Sequence, residues 1–213
     1  MSMKLHAFPQ SPRGFKVLAV AKHLGLDYEF CFCDLTKGDQ KQAWFTAINP
    51  NQRMPALEEG DFTLWESNAI IQYLASKRPG ALAPTDAQGA ADVARWLFWE
   101  STTWDPACAI LAFERIVKPF FSGGSPDPNE VERGLREFAF AAGVLEGHLA
   151  GRDYICGDAL SLADFSVASG LIIADRAQYP LEAYPQIRRW GARMAELPAW
   201  RAAIALQQQA VAA

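Results

Sequence analysis

No two of the four cysteines, Cys31, Cys33, Cys108 and Cys156, are spaced as C-x-x-C. A dithiol redox centre and a zinc ribbon therefore have no support. All four are expected to be small buried hydrophobes in a reducing compartment. Cys31 and Cys33 alternate in one apolar run and should point to the same face of a strand. Basic surplus is also missing. Net charge is -4, where a nucleic-acid binder would usually be basic. No stretch reaches the roughly 18 apolar residues of a membrane span, and the N-terminal residues lack a signal-peptide core. No internal repeat is present, and the one biased tract is the Gln/Ala tail. The expectation is a cytoplasmic protein with no metal, no nucleic acid and no membrane among its partners.

What remains is an ordinary globular composition. Half of the 213 residues are apolar and 21% are charged, enough to build one or two packed cores. Residues 1–80 are nearly charge-balanced, and the acidic excess lies in 81–213. Lys4–Phe8 has strand character and is ended by Pro9–Pro12. Helical spacing follows at Val17, Val20, Ala21 and Leu24, and Gly25 stops it. Tyr28–Cys33 reads as a second strand and Gln40–Ala47 as a short helix. Ala56–Glu59 and Phe62–Trp65 flank Gly60-Asp61, a hairpin signal. A helix through Ile70, Tyr73 and Leu74 ends near Pro79-Gly80. The order βαβ, α, ββα argues for a mixed sheet flanked by helices.

Beyond residue 80 no further strand is evident. The predicted domains are 1–80, a linker over 81–88, and an all-helical domain over 89–213. Ala90–Phe121 is a long helical stretch, expected to break or kink near Pro106. Val131, Leu135, Phe138, Ala142, Leu145 and Leu149 alternate steps of four and three, a helix with one apolar stripe. Further helices are predicted over Leu162–Ala174, Ile187–Glu196 and Trp200–Val211. Ser161 and Asp164 have capping-box spacing, with Leu160 and Phe165 as a hydrophobic staple.

Three features of the first 80 residues bear on chemistry. Phe8-Pro9-Gln10-Ser11-Pro12 joins a strand to a helix, so Ser11 sits where unsatisfied N–H groups favour an anion. Taken alone, Ser11 reads as a helix cap. Met54-Pro55 opens a strand. A cis bond there would turn the Met54 backbone towards an extended ligand, but the local sequence alone favours an ordinary trans proline at a strand start. Trp65-Glu66-Ser67-Asn68 is a second strand-to-helix turn, with Ser67 as a good N-cap and Glu66 free to meet an ammonium. Together they suit a short peptide with an anionic head.

This pattern resembles the cytosolic glutathione transferase superfamily, in its serine-type form and most like the phi branch. The resemblance is carried by Ser11-Pro12 with Lys16-Val17 and Gly25–Glu29, and by Asn49-Pro50 leading to Met54-Pro55-Ala56-Leu57. It continues through Gly60-Asp61 to Glu66-Ser67-Asn68-Ala69-Ile70. Trp96, Glu100-Ser101, Asp105-Pro106 and the Ser161–Asp164 box extend it. Arg53, Gln40 and Thr102 depart from the phi pattern, which usually has Gln, His and His there.

The resemblance implies an α/β thioredoxin-like N-terminal domain followed by an all-α helical bundle. It implies that Ser11 stabilises the glutathione thiolate, and that Lys41, Arg53, Met54, cis-Pro55, Glu66 and Ser67 hold glutathione. Lys41 would meet the glycyl carboxylate, Met54 the cysteinyl backbone, and Glu66 with Ser67 the γ-glutamyl end. Phe8, Trp104, Cys108, Leu111 and Phe113 are candidates for the wall facing a hydrophobic electrophile. They read equally well as core. A homodimer is also implied. A glutathione-dependent peroxidase or isomerase, or a non-catalytic binding module on the same scaffold, are the alternatives.

Overall fold

The computed structural model describes residues 2–212, with side chains through residue 208. The chain divides into two compact units, one of residues 1–85 with 195–213 and the other of residues 86–194.

In the first unit, β1 (Met3–Ala7) leads to α1 (Pro12–His23) and β2 (Glu29–Phe32). A 3₁₀ turn at Asp39–Lys41 and α2 (Ala43–Ile48) follow, then β3 (Ala56–Glu59), β4 (Phe62–Trp65) and α3 (Ser67–Ser76). Sheet order is β2-β1-β3-β4, with β2 parallel to β1 and the other pairs antiparallel. This is the thioredoxin-like arrangement that the sequence implied. The hairpin turns at Gly60, whose φ of 63° costs a glycine nothing.

α1 is buried along its whole middle, from Gly14 to Ala21. A helix covered on all sides lies at the centre of its unit rather than on its surface. One cover is α3; another is α11 (Pro198–Ala212), whose Trp200 meets Phe15 edge-on with ring centroids 4.6 Å apart. The closing helix, expected with the helical domain, thus groups with the first unit, because its apolar face is used on α1.

The second unit contains α4 (Ala87–Trp99), α5 (Asp105–Ala112), α6 (Lys118–Ser122), α7 (Pro128–Leu149), α8 (Leu162–Ala168), α9 (Ala174–Ala177) and most of α10 (Pro185–Glu196). The irregularity expected near Pro106 takes the form of a π-helical turn, not of a gap in the helical path. A π-helical turn, Glu100–Trp104, joins α4 to α5, and a second, Phe113–Val117, joins α5 to α6. Each delivers a proline, Pro106 or Pro119, to the second position of the next helix. The wider turn accommodates the ring and the missing N–H, so the path continues. The apolar stripe from Val131 to Leu149 lies on α7, with Phe138, Ala142, Leu145 and Leu149 fully buried.

The Ser161–Asp164 capping box forms at the start of α8. Asp164 accepts from the Ser161 N–H at 2.9 Å, the Ser161 hydroxyl at 2.9 Å, the Ile155 N–H at 2.8 Å and the Trp190 indole at 3.0 Å. Burial pushes its pKa up, and those four donors oppose the rise. One carboxylate therefore joins α8, the preceding loop and α10. Asp164→Ala strands three buried N–H donors and should lower unfolding free energy by about 3–5 kcal/mol, read by urea denaturation.

Candidate functional site

Strand register gathers the site. His6 of β1 lies opposite Ala56 of β3, and Ala56 lies opposite Trp65 of β4. On the other side, Ala7 lies beside Phe32 of β2. The segments after β1, before β3 and after β4 consequently leave the same edge of three adjacent strands. Neighbouring strands are about 4.8 Å apart, so the three segments span roughly 10 Å. Those segments hold Ser11, Met54-Pro55 and Glu66-Ser67. The segment after β2 carries Lys41, exposed at the end of the 3₁₀ turn.

Ser11 occupies the N-cap position of α1, with extended backbone, yet its hydroxyl makes no capping bond. The capping explanation of this serine therefore fails. Pro12 supplies no N–H, and the first turn presents its remaining donors beside an unspent hydroxyl. The loop is tight. The Ser11 N–H donates to the Phe8 carbonyl at 3.0 Å, and a Cβ on Gly14 would lie 2.5 Å from that same carbonyl oxygen. Gly14 is thus what lets the loop fold back on the first turn of α1.

The Met54-Pro55 bond is cis, as the resemblance implied and the local sequence alone did not. Met54 is buried with Cys33, Phe45, Ile48 and Ala56, and Phe8 and Leu35 pack on this cluster. It stands just outside the ladder, which begins at Ala56. The loop before it is set by Asn49, which is buried. Its amide donates to the Arg53 carbonyl at 2.6 Å and accepts from the Asn51 N–H at 3.0 Å. Arg53 itself is exposed.

At the third segment the sequence expectation needs correction. Glu66, not Ser67, is the N-cap of α3, at φ 73° and ψ 113°. A non-glycine residue there is strained, and such strain concentrates at working sites. Ser67 becomes the first helical residue. It is 7% exposed, and its hydroxyl has no hydrogen-bond partner among the described residues. Two serine hydroxyls and two helix starts therefore face one edge without being used internally. A residue absent from the predicted site ties them together. Lys16, on α1 and 0% exposed, donates from Nζ to Asn68 Oδ1 at 3.1 Å. Its apolar surroundings in sequence give no hint of this, because a lysine on a helix normally faces water.

The predicted second-substrate residues separate. Phe8 belongs to the edge, half-buried and near Phe32. Trp104, Cys108 and Leu111 are buried in the helical unit; the Trp104 indole donates to the Val167 carbonyl and the Cys108 carbonyl accepts from Tyr179. Their core reading is the one their burial supports, and a substrate wall is not. Phe113 is 52% exposed. The cysteines also differ from expectation: Cys33 and Cys108 are buried, whereas Cys31 and Cys156 are half-exposed. Burial raises the pKa of every one, to about 12 for Cys33 and Cys156. None is an activated thiolate.

Serine at the first helix start and the cis Met54-Pro55 bond both agree with what the resemblance implied. The glutathione S-transferase N-terminal domain model matches residues 1–76, and the C-terminal domain model matches residues 104–198. Glutathione S-transferase 3 of Zea mays is 37% identical over 95% of this chain and 93% of its own length. A glutathione S-transferase of Hyoscyamus muticus is 32% identical over 98% and 100%. Among solved structures, glutathione transferase F7 of Populus trichocarpa superposes with a TM-score of 0.88 at 30% identity, covering 96% of this chain and 99% of that one. The chain belongs to the glutathione S-transferase family, and its relatives support the phi branch.

Gly14→Ala provides a sharp check of the edge. Helix propensity alone predicts a gain of up to about 1 kcal/mol. The clash with the Phe8 carbonyl predicts a loss of about 1–3 kcal/mol in denaturant unfolding, together with reduced glutathione conjugation.

Proposed function

We propose that the chain conjugates glutathione to hydrophobic electrophiles and that Ser11 activates the sulfur. The observation that carries this is the Ser11 hydroxyl, which sits at a helix start and does not cap it. In this reading Ser11 donates a hydrogen bond to the glutathione sulfur. The start of α1 adds a favourable field for the negative charge. A free thiol titrates near ~8.5, and the thiolate is the nucleophile. Lowering that value by about two units requires about 2.7 kcal/mol of preferential thiolate stabilisation. A charge-assisted hydrogen bond and a helix dipole together are of that size. The thiolate attacks the electrophilic carbon, the leaving group departs with its electron pair, and the thiol proton has already passed to solvent.

The remaining roles follow the edge. Glu66 offers a carboxylate to the γ-glutamyl ammonium, and Ser67 offers its hydroxyl and helix start to the γ-glutamyl carboxylate. Met54, outside the ladder, has a backbone available to the cysteinyl unit. Lys41 and Arg53, both exposed, supply cations for the glycyl carboxylate. Phe8 is the apolar contact next to the reacting sulfur. The raised pKa values of all four cysteines fit a nucleophile that comes with the cosubstrate. This favours conjugation over thiol exchange through a protein cysteine.

A homodimer in the cytoplasm completes the reading. Phe98 on α4 and Phe140 on α7 are 71% and 69% exposed, and Val144 continues the apolar surface of α7. Such residues suit a covered face. No described helix is long and apolar enough to cross a membrane.

Initial rates of conjugation to a chromogenic aryl halide test the role of Ser11. Ser11→Ala should lower the rate at neutral pH by about 10- to 100-fold, and its rate should rise with pH towards the titration of free thiol. The sign follows from the mechanism, since a depressed thiol pKa places the wild-type plateau at lower pH. Equal rates and equal profiles for both proteins would remove Ser11 from the mechanism.

A further inference from the structure

The Gln/Ala tail begins on α11, and its first glutamine is put to use. Among the described side chains of α11, Ala199, Trp200 and Ala203 are buried. One further turn along that face comes Gln207, where the spacing calls for an apolar side chain. Trp200, near the start of α11, meets Phe15 of α1, whereas Gln207, further along, reaches the loop that precedes α1. There, Gln207 Nε2 donates to the Pro9 carbonyl at 2.7 Å. In return, Gln10 Nε2 donates to the Gln207 carbonyl at 3.2 Å. The two residues immediately before Ser11 are therefore both bonded to one residue of the closing helix.

The opposite side of the same loop is already fixed. The Phe8 carbonyl is closed against the Ser11 N–H and against Gly14. Only the bonds from Gln207 restrain Pro9 and Gln10 from the other side by hydrogen bonding, among the described residues. A hydroxyl that stabilises a thiolate must be held in place before the ligand arrives, since freedom left in the loop is entropy lost on binding. We infer that Gln207 is a positioning residue for Ser11: the closing helix clamps the Pro9-Gln10 segment and so fixes the serine hydroxyl for thiolate stabilisation. This rests on the reading of Ser11 given above. It assigns the last helix a part in catalysis beyond covering α1.

The test uses the full chain and reads the pKa of enzyme-bound glutathione from the ultraviolet absorbance of its thiolate, alongside kcat and KM for the aryl halide reaction. Five proteins carry substitutions: Ser11→Ala, Gln207→Glu, Gln207→Met, Gln10→Met, and Ser11→Ala with Gln207→Glu. Glu and Met keep the length of the side chain and lose its donor. Both Gln207 variants should raise the bound thiol pKa part of the way to the Ser11→Ala value. Both should lower kcat at neutral pH about three- to ten-fold, with a smaller change in KM. In the Ser11→Ala background, Gln207→Glu should add almost nothing, because the two act through one hydroxyl. Gln10→Met removes the reciprocal bond and should reproduce the effect from the other side of the clamp. An unchanged thiol pKa in both Gln207 variants, with only a lower melting temperature, would reduce Gln207 to a packing role and overturn the inference. So would a full, additive loss in the double variant. If Ser11→Ala itself leaves the thiol pKa unmoved, the serine reading fails first and the clamp falls with it.

Discussion

The pairing of Ala56 with His6 on one side and Trp65 on the other is the constraint from which the site follows. A shift of this register by one residue would turn each strand's side chains to the opposite face. It would also carry the Met54-Pro55 segment away from the loop that begins at Phe8. With the register as it is, three segments far apart in sequence leave one edge of the sheet. Each provides something that secondary structure has left unspent. After β1 it is a hydroxyl at a helix start, before β3 a backbone outside the ladder, and after β4 a second hydroxyl and a strained glutamate. A short extended peptide with charged ends matches that set better than a compact ligand does.

Holding such an edge requires rigidity behind it, and α1 supplies it. The helix is buried along its middle, and it includes a fully buried lysine whose ammonium reaches Asn68 beside the second helix start. A buried charge is tolerated only when it is hydrogen-bonded. The Lys16–Asn68 bond couples the positions of α1 and α3. α11 covers α1 from another side, and at its far end Gln207 holds the loop before Ser11. The first unit is therefore completed by residues more than 100 positions beyond its sheet.

Much of this was legible in the sequence, for reasons that differ between elements. The strands and the Gly60 hairpin announce themselves through local propensity and turn chemistry, which depend on a few residues. The α7 stripe and the Ser161–Asp164 box are likewise local patterns that tertiary packing had no cause to override. Ser11, Met54-Pro55 and Glu66-Ser67 were individually ambiguous, and only their order along the chain singled them out. What local reading missed was long-range. Ser67 looked like an N-cap, but the strained turn moves that role to Glu66. Pro106 signalled a break or kink, but not that a π-helical turn would carry the path through it. Trp104, Cys108 and Leu111 were candidates for a substrate wall by position alone, and their burial places them in the core. The contacts of Lys16 and Gln207 carry no local signal, since their partners lie 52 and about 200 residues away and neither composition nor periodicity encodes such contacts.

The chain lends no sulfur of its own to the chemistry. Desolvation pushes the pKa of all four thiols up, which fits a reactive sulfur that comes with glutathione. Whether glutathione lies along this edge is thus the central question, and backbone amide chemical shifts on titration with glutathione answer it most directly. The account predicts the largest shifts at Ser11, Met54, Glu66 and Ser67, with little change along α7 of the helical unit. Large shifts confined to the helical unit, with the edge of the sheet unmoved, would contradict it.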